Sequence, residues 1–250
     1  MITLITGASA GFGADIARAL VPQGHKVIAT ARRLDRLEAL AAELGRENVL
    51  PLALDVTDPT AVFAAIESLP ADWAAIDVLV NNAGLALGLE AAQEAKLENW
   101  ERMIDTNVKG LTYVTRAVLP GMVSRNRGHV VNMGSVAGTW PYFGGNVYGA
   151  TKAFVRQFSL NLRADLAGTR VRVTNIEPGL VAGTEFSNVR FAGDDAKAAN
   201  VYAGTTPLTS EDVAETVRWI VSLPDHFNVN TIEIMPVVQT YGGLKVQKEG

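Results

Sequence analysis

The stretch ITLITGASAGFGADIARAL, Ile2 to Leu20, joins two patterns of different period. Ile2 to Ile5 is a short, nearly continuous apolar run, the signature of a strand covered on both faces. From near Gly11 the apolar residues recur at helical spacing. Between them lies TGASAGFG, Thr6 to Gly13. Its glycines, Gly7, Gly11 and Gly13, permit a tight turn and a close backbone approach to a pyrophosphate, and the helix start supplies free N–H groups and a positive dipole end. Ser9, Ala10 and Phe12 complete the candidate phosphate cradle. Any glycine-rich strand–helix turn would look similar. The position between a predicted strand and a predicted helix is the context that a dinucleotide fingerprint requires.

The same alternation continues along the chain. Lys26 to Ala31, Val49 to Leu54, Ile76 to Val80, His129 to Met133, Val171 to Ile176 and Thr231 to Met235 read as further strands, and helical patterns start near Leu34, Pro59, Leu97, Val147 and Ser210. Asp58-Pro59 and Ser210-Glu211 are start signals. Strands alternating with helices imply right-handed crossovers and an α/β fold, a Rossmann-type doubly wound parallel sheet of about seven strands with helices on both faces. The 250 residues fit one dinucleotide-binding catalytic domain over 1–250, with an insertion at about 180–208 and a C-terminal tail at 239–250. In such a fold, loops beyond the carboxyl ends of the strands form the ligand crevice.

Bulk properties narrow the function. The chain has no cysteine, which removes disulfides, thiolate metal sites and cysteine nucleophiles. A net charge of -4 without a long run of one sign gives no nucleic-acid footprint. No apolar run reaches the ~20 residues that span a bilayer, and MITLITG lacks the basic start of a signal peptide. A cytoplasmic protein is expected. His25, His129 and His226 show no metal-ligand spacing, so no metal site is expected.

The end of the second strand reads IATARR, with Arg32 and Arg33 and no acid. An acid there would accept from the ribose 2′-hydroxyl of NAD, whereas two guanidiniums clamp a 2′-phosphate. NADP is therefore the expected cofactor, although an ordinary basic helix start would look the same. Asp35 lies too late to be the strand-end acid but is placed to orient one arginine. Asp55 and Val56, ending the third strand, are candidates for the adenine edge, and Asn82, Ala83 and Gly84, ending the fourth, for the adenine ribose.

In NVYGATKAFVRQF, Asn146 to Phe158, Tyr148 and Lys152 stand four apart and so share one helix face. A stripe of Phe154, Phe158, Leu162 and Leu166 is the expected buried face, and Gly149, Ala150 and Thr151 leave room for a ligand. Alone, the pair reads equally as a solvated polar pair. Together with TGASAGFG, NNAG (81–84), Ser135 in NMGSVAG, Asn107 in DTNVKG and EPG (177–179), it resembles the short-chain dehydrogenase/reductase family along nearly the whole chain. Phe12 stands where isoleucine is commoner in that family. GNVYGATKAFVRQFSLNLR, IEPGLVAGTEFSNVRF and LVNNAGLALGLE look closest to its NADP-dependent 3-hydroxy acid dehydrogenases, also described as L-allo-threonine dehydrogenase and malonic semialdehyde reductase.

The resemblance implies roles. Tyr148 would be the general acid/base, Lys152 would lower its pKa and bond the nicotinamide ribose, Ser135 would hold the substrate oxygen, and Asn107 would keep a proton-relay water. An ammonium ~4 Å from a phenolate, at an effective dielectric of ~20, attracts it by about 4 kcal/mol, enough to bring a tyrosine towards neutrality. Pro178, Gly179, Val181 and Thr184 would cover the nicotinamide, and Arg190 is the candidate for a substrate carboxylate. Trp140, Tyr142 and Phe143 would line the pocket. The expected partner is a small 3-hydroxy or 3-oxo acid. A homotetramer would form through the Val147 to Leu166 helix and the helix holding Met103 and Leu111, and the tail GGLKVQKEG either reaches a neighbouring subunit or frays. Each residue also has an ordinary reading: Ser135 as a turn cap, Asn107 as a helix bend, Tyr148 as an interface aromatic, Arg190 as a solvated arginine. Two other functions stay open, a reductase of the same family for 3-oxoacyl chains or other carbonyls, and a non-catalytic NADP-binding protein.

Overall fold

Seven strands form where the apolar runs stand: β1 (Ile2–Thr6), β2 (Lys26–Ala31), β3 (Val49–Ala53), β4 (Val78–Asn81), β5 (Gly128–Met133), β6 (Val171–Pro178) and β7 (Thr231–Ile234). The computed structural model describes residues 1–241, so the tail GGLKVQKEG lies outside the described residues. All seven strands pair in parallel in the order β3-β2-β1-β4-β5-β6-β7. Ile5 faces Ala29 on one side and Val80 on the other, so β1 is the strand where the order reverses.

Helices cover both faces. On one, α1 (Gly11–Leu20), α2 (Leu34–Leu44) and α9 (Ser210–Ser222) bury Ile16, Leu20, Leu37, Val213, Val217 and Ile220 against β1 and β2. On the other, α3 (Pro59–Glu67), α5 (Leu111–Ser124) and α6 (Asn146–Asp165) bury Val62, Val114, Val118, Met122 and Leu162 against β1, β4, β5 and β6. Each fully buried side chain of this kind stabilises by roughly 1.5–3 kcal/mol. α4 (Leu97–Ile104) runs into α5 through one π turn, Asp105–Gly110. The insertion carries two short helices, α7 (Phe186–Arg190) and α8 (Asp195–Asn200), and closes on itself where Val181 bridges Leu208.

A polar ladder crosses the apolar core on the α5 and α6 side. Asn81 of β4 donates to Asn132 Oδ1 of β5 and to Thr115 Oγ1 of α5, both at 2.9 Å. Asn132 donates in turn to Ser159 Oγ of α6 at 2.8 Å, and Ser159 donates to the Val155 carbonyl. All four side chains are buried. Such a chain of satisfied groups holds α5 and α6 to one register on the sheet, because any slip leaves a buried amide unpaired.

Three expectations need correction. The stripe on α6 divides: Leu162 and Leu166 are buried, but Phe154 and Phe158 stack on each other at 5.7 Å with Phe154 exposed. The helix buries Tyr148, Thr151, Lys152, Val155 and Ser159 instead. Asp58 caps α3 by accepting from the Ala61 N–H, whereas α9 is capped by Thr209 in a reciprocal box with Asp212, one residue before the expected start signal. β4 begins at Val78 rather than Ile76, because the Asp77 carboxylate leaves the ladder to accept the Ile2 N–H at 2.9 Å.

His129 lies inside β5, where Nε2 meets Thr174 Oγ1 at 2.8 Å and burial, reinforced by Arg172, pulls its pKa down to about 3. Above pH 6.5 the ring is neutral folded or unfolded; below it the unfolded chain takes up a proton that the native state refuses. Stability therefore falls with pH from 6.5 towards 3, by about 1.4 kcal/mol per pH unit from this group. Urea unfolding of His129→Gln should show a slope shallower by about that amount between pH ~6.5 and ~5. Equal slopes would assign the acid sensitivity to other groups.

Candidate active site

The carboxyl ends of β1, β4, β5 and β6 open into one cleft of about 860 Å³. At one end, the turn after β1 is braced by β4. Thr6 Oγ1 accepts from the backbone N–H groups of Asn82 and Ala83 at 3.0 and 2.9 Å. The Asn82 side chain donates to the Thr6 and Gly7 carbonyls, so it supports the turn from behind, while Ala83 and Gly84 continue along the cleft wall. A Cβ on Gly13 would lie 2.5 Å from the Gly7 carbonyl oxygen, which admits only glycine there. Ala10 precedes α1 in an extended conformation and offers no side-chain cap, so the first N–H groups of α1 have no side-chain partner. Gly7, Ser9, Ala10, Gly11 and Phe12 all line the cleft.

Arg32, Arg33, Asp55 and Val56 line the same end. Arg33 reaches Ser9 Oγ through Nε and Nη2 at 3.3 and 3.1 Å. It is Glu185, not Asp35, that meets the basic side chains: its carboxylate accepts from Arg33 Nη2 at 2.8 Å and Arg36 Nη1 at 2.7 Å. Burial pushes the Asp55 carboxyl up, but its two bonds from Thr57 and the nearby Arg32 outweigh this and hold it below the ordinary range.

At the other end, α6 sets Tyr148 one turn before Lys152, and both are buried. The Lys152 Nζ donates to the Met133 carbonyl at 2.7 Å and lies 5.9 Å from the Tyr148 ring centre. Burial pulls the ammonium down to about 8 and pushes the phenol up to about 12, the latter partly offset by Ser135 and Arg190. The expected lowering of Tyr148 by Lys152 is not what this geometry gives: desolvation outweighs the lysine, whose ammonium is aimed at a backbone carbonyl. Nor do the small residues between them leave room. Gly149 packs on the 136–138 turn, where a Cβ would come within 2.9 Å of the Ala137 carbonyl oxygen. The Thr151 hydroxyl donates to the Tyr148 carbonyl at 2.7 Å.

Asn107 sits in the π turn and is buried. Its amide answers both backbone groups of Leu85 at 2.9 Å and donates to Thr151 Oγ1 at 3.0 Å. It therefore ties the strand after NNAG to the helix of Tyr148, rather than merely marking a bend; π turns recur at such places. Ser135 does cap a turn, accepting from the Ala137 N–H at 3.1 Å, and it also lines the cleft.

The insertion forms the roof. Pro178, Gly179, Val181 and Thr184 line the cleft, with Thr184 Oγ1 accepting the Phe186 N–H at 3.3 Å. Arg190 donates to the Gly88 carbonyl at 3.1 Å and the Tyr142 hydroxyl at 2.7 Å, with its guanidinium carbon 5.6 Å from the Tyr148 ring centre. Trp140, Tyr142 and Phe143 line the opening. Sequence reasoning missed Thr151, Glu185, Phe186 and Gln239. Phe186 meets Tyr148 edge-on at 5.8 Å, and Gln239 Oε1 accepts the Leu180 N–H at 2.6 Å. The acid and aromatic directly after Thr184 were the available signal for two of these; nothing in the sequence pointed to Gln239. Among the described residues no group of three His, Asp or Glu could hold a metal, and no helix is long and apolar enough to cross a membrane.

Comparison with known proteins agrees with this arrangement. Residues 1–195 match the short chain dehydrogenase family model. The chain is 66% identical over 248 residues to the NADP-dependent 3-hydroxy acid dehydrogenase YdfG of Salmonella typhi, covering 99% of this chain and all of that protein. It is 51% identical to the serine 3-dehydrogenase of Agrobacterium fabrum, covering 98% of each. A solved closed form of serine dehydrogenase complexed with NADP+ superposes with a TM-score of 0.98 at 64% identity, covering both chains completely. With its reversal of strand order at β1, its Tyr148–Lys152 helix and identity along its full length, the chain belongs to the short-chain dehydrogenase family.

Proposed function

We propose that the protein is an NADP(H)-dependent dehydrogenase interconverting short 3-hydroxy acids and their 3-oxo acids or semialdehydes. The observation that carries this is the grouping of Ser135, Tyr148, Lys152 and Arg190 at one end of a cleft whose other end holds Arg32, Arg33 and Ser9. The uncapped first turn of α1 fits a pyrophosphate, and the two arginines at the end of β2 fit a 2′-phosphate. Gly7, Ser9, Ala10, Gly11, Phe12 and Gly13 would form the phosphate cradle, Asp55 and Val56 the adenine wall, and Asn82, Ala83 and Gly84 the ribose wall. Pro178, Gly179, Val181 and Thr184 would cover the nicotinamide. When bound, the nicotinamide supplies or accepts the hydride.

The chain's own residues handle the proton and the orientation. Tyr148, with its pKa near 12, holds a proton throughout the neutral range. It is placed to give that proton to a carbonyl oxygen on reduction and to take one back on oxidation. Ser135 would hold the same oxygen. Lys152, carried on the Met133 carbonyl, brings a positive charge beside the phenol and offers donors to the nicotinamide ribose, and Asn107 with Thr151 fixes the path for a relay water. Arg190, already beside the phenol ring, matches the carboxylate of a 3-hydroxy acid bidentately. Substrates of the L-serine, L-allo-threonine and 3-hydroxypropionate type all present that carboxylate, and reduction of malonic semialdehyde is the same chemistry run backwards. The exposed Phe154 and its stacked partner Phe158 favour a homotetramer joined through α6, and dependence on NADP(H) favours the cytoplasm.

Tyr148→Phe should keep cofactor affinity but lose at least ~100-fold in turnover, the usual contribution of a general acid/base. Near-normal activity would sink the mechanism. With NADP and a panel of 3-hydroxy acids beside simple alcohols, the wild-type protein should turn over the acids alone, and Arg190→Met should raise KM for the acids by roughly 100-fold. Turnover of alcohols alone would favour the general reductase, and cofactor binding without turnover on any substrate the non-catalytic reading. Arg32→Ala with Arg33→Ala should weaken NADP by at least ~10-fold and NAD far less; equal weakening would show that the arginines do not read the 2′-phosphate.

A further inference from the structure

Arg33 has two usable edges, and both have protein partners. Nε and Nη2 face Ser9 Oγ at 3.3 and 3.1 Å, while Nη1 and Nη2 face the Glu185 carboxylate at 3.3 and 2.8 Å. Arg36 approaches the same carboxylate from its own side at 2.7 Å. Ser9, Arg32, Arg33 and Glu185 all line one end of the cleft. An anion that comes to Arg33 there meets a full negative charge already in place. Given the NADP reading above, on which this inference rests, we propose that Glu185 is an internal competitor of the cofactor's 2′-phosphate, and so a residue that sets how strongly NADP is preferred to NAD.

Two effects of Glu185 oppose each other. It repels a phosphate that carries nearly two negative charges, and it holds the guanidinium of Arg33 in place for that phosphate. The side chains of Arg33, Arg36 and Glu185 are 42%, 47% and 44% exposed, and exposed ion pairs of this kind order an arginine only weakly. Repulsion between a carboxylate and a phosphate sharing one guanidinium acts over a shorter range than the screening length, so it outweighs the positioning effect. The two arginines hold the Glu185 carboxyl below its ordinary range, against a smaller upward push from burial, so the competing charge is present throughout the neutral range. A 2′-hydroxyl carries no charge for Glu185 to oppose. The competition therefore acts on NADP and leaves NAD alone.

The test is calorimetric titration of the full-length protein with NADP, NAD and adenosine 2′,5′-bisphosphate. Glu185→Gln should bind NADP and the bisphosphate roughly 10-fold tighter, while NAD changes by less than about 2-fold. Glu185→Ala, which also removes the hydrogen bonds, should move in the same direction. In an Arg33→Ala background the gain from Glu185→Gln should shrink to under about 2-fold, because the shared guanidinium is gone. Unchanged or weaker NADP binding in Glu185→Gln overturns the proposal and makes Glu185 a positioning residue for Arg33, and equal tightening of NADP and NAD overturns it as well. A wild-type protein that does not prefer NADP to NAD would overturn the underlying cofactor reading, a failure visible before any Glu185 variant is measured.

Discussion

The cleft exists because β1 takes its neighbours from both directions of the chain. Right-handed crossovers carry the chain to β2 and β3 on one side and to β4 to β7 on the other, so the helices that follow β1 and β4 leave on opposite faces. No helix closes the gap between those two departures. Thr6, at the end of β1, fills its floor by accepting two N–H groups from the loop after β4. The glycine-rich turn, the uncapped start of α1 and the Asn107 tie all take their positions from that floor.

Burial then sets the electrostatics at the far end. Tyr148 and Lys152 are both pushed towards their uncharged forms, and they face one another with small offsets from Ser135 and Arg190. A structure that placed them on a solvated face would keep ordinary pKa values and no protein control of the proton. The polar ladder from Asn81 through Asn132 to Ser159 is the complement of this arrangement. It brings hydrogen bonds into an otherwise apolar layer, and it fixes how far α6 stands from the sheet that carries Met133, the carbonyl on which Lys152 rests.

The sheet was legible because both of its faces are buried, which makes each strand a nearly unbroken apolar run with few competing readings. Boundaries slipped where a side chain replaced a ladder bond, as at Asp77 before β4 and Thr209 before α9. The helices α7 and α8 were illegible since five or six residues cannot be stable helices on local propensity and take their shape from packing. Within the site, residue identities and neighbourhood were legible from spacing, but directions were not. Nothing in NNAG says that Asn82 turns its amide towards the chain behind it, or that Lys152 aims at a carbonyl. Contacts across long separations were the least legible of all. Arg33 and Glu185 stand 152 residues apart, and only the folded insertion brings them together.

The π turn at Asp105–Gly110 has a consequence for how this chain can vary. It inserts one residue's worth of rotation into a helix that otherwise runs unbroken from Leu97 to Ser124. Deleting any one of its six residues would let the segment relax into regular α-helix and turn α4 by about 100° against α5. Met103 would swing out of its pocket beside Ala86 and Tyr148. Chain length in this segment is thus held constant by geometry even where the individual side chains, such as the exposed Lys109, are free to change.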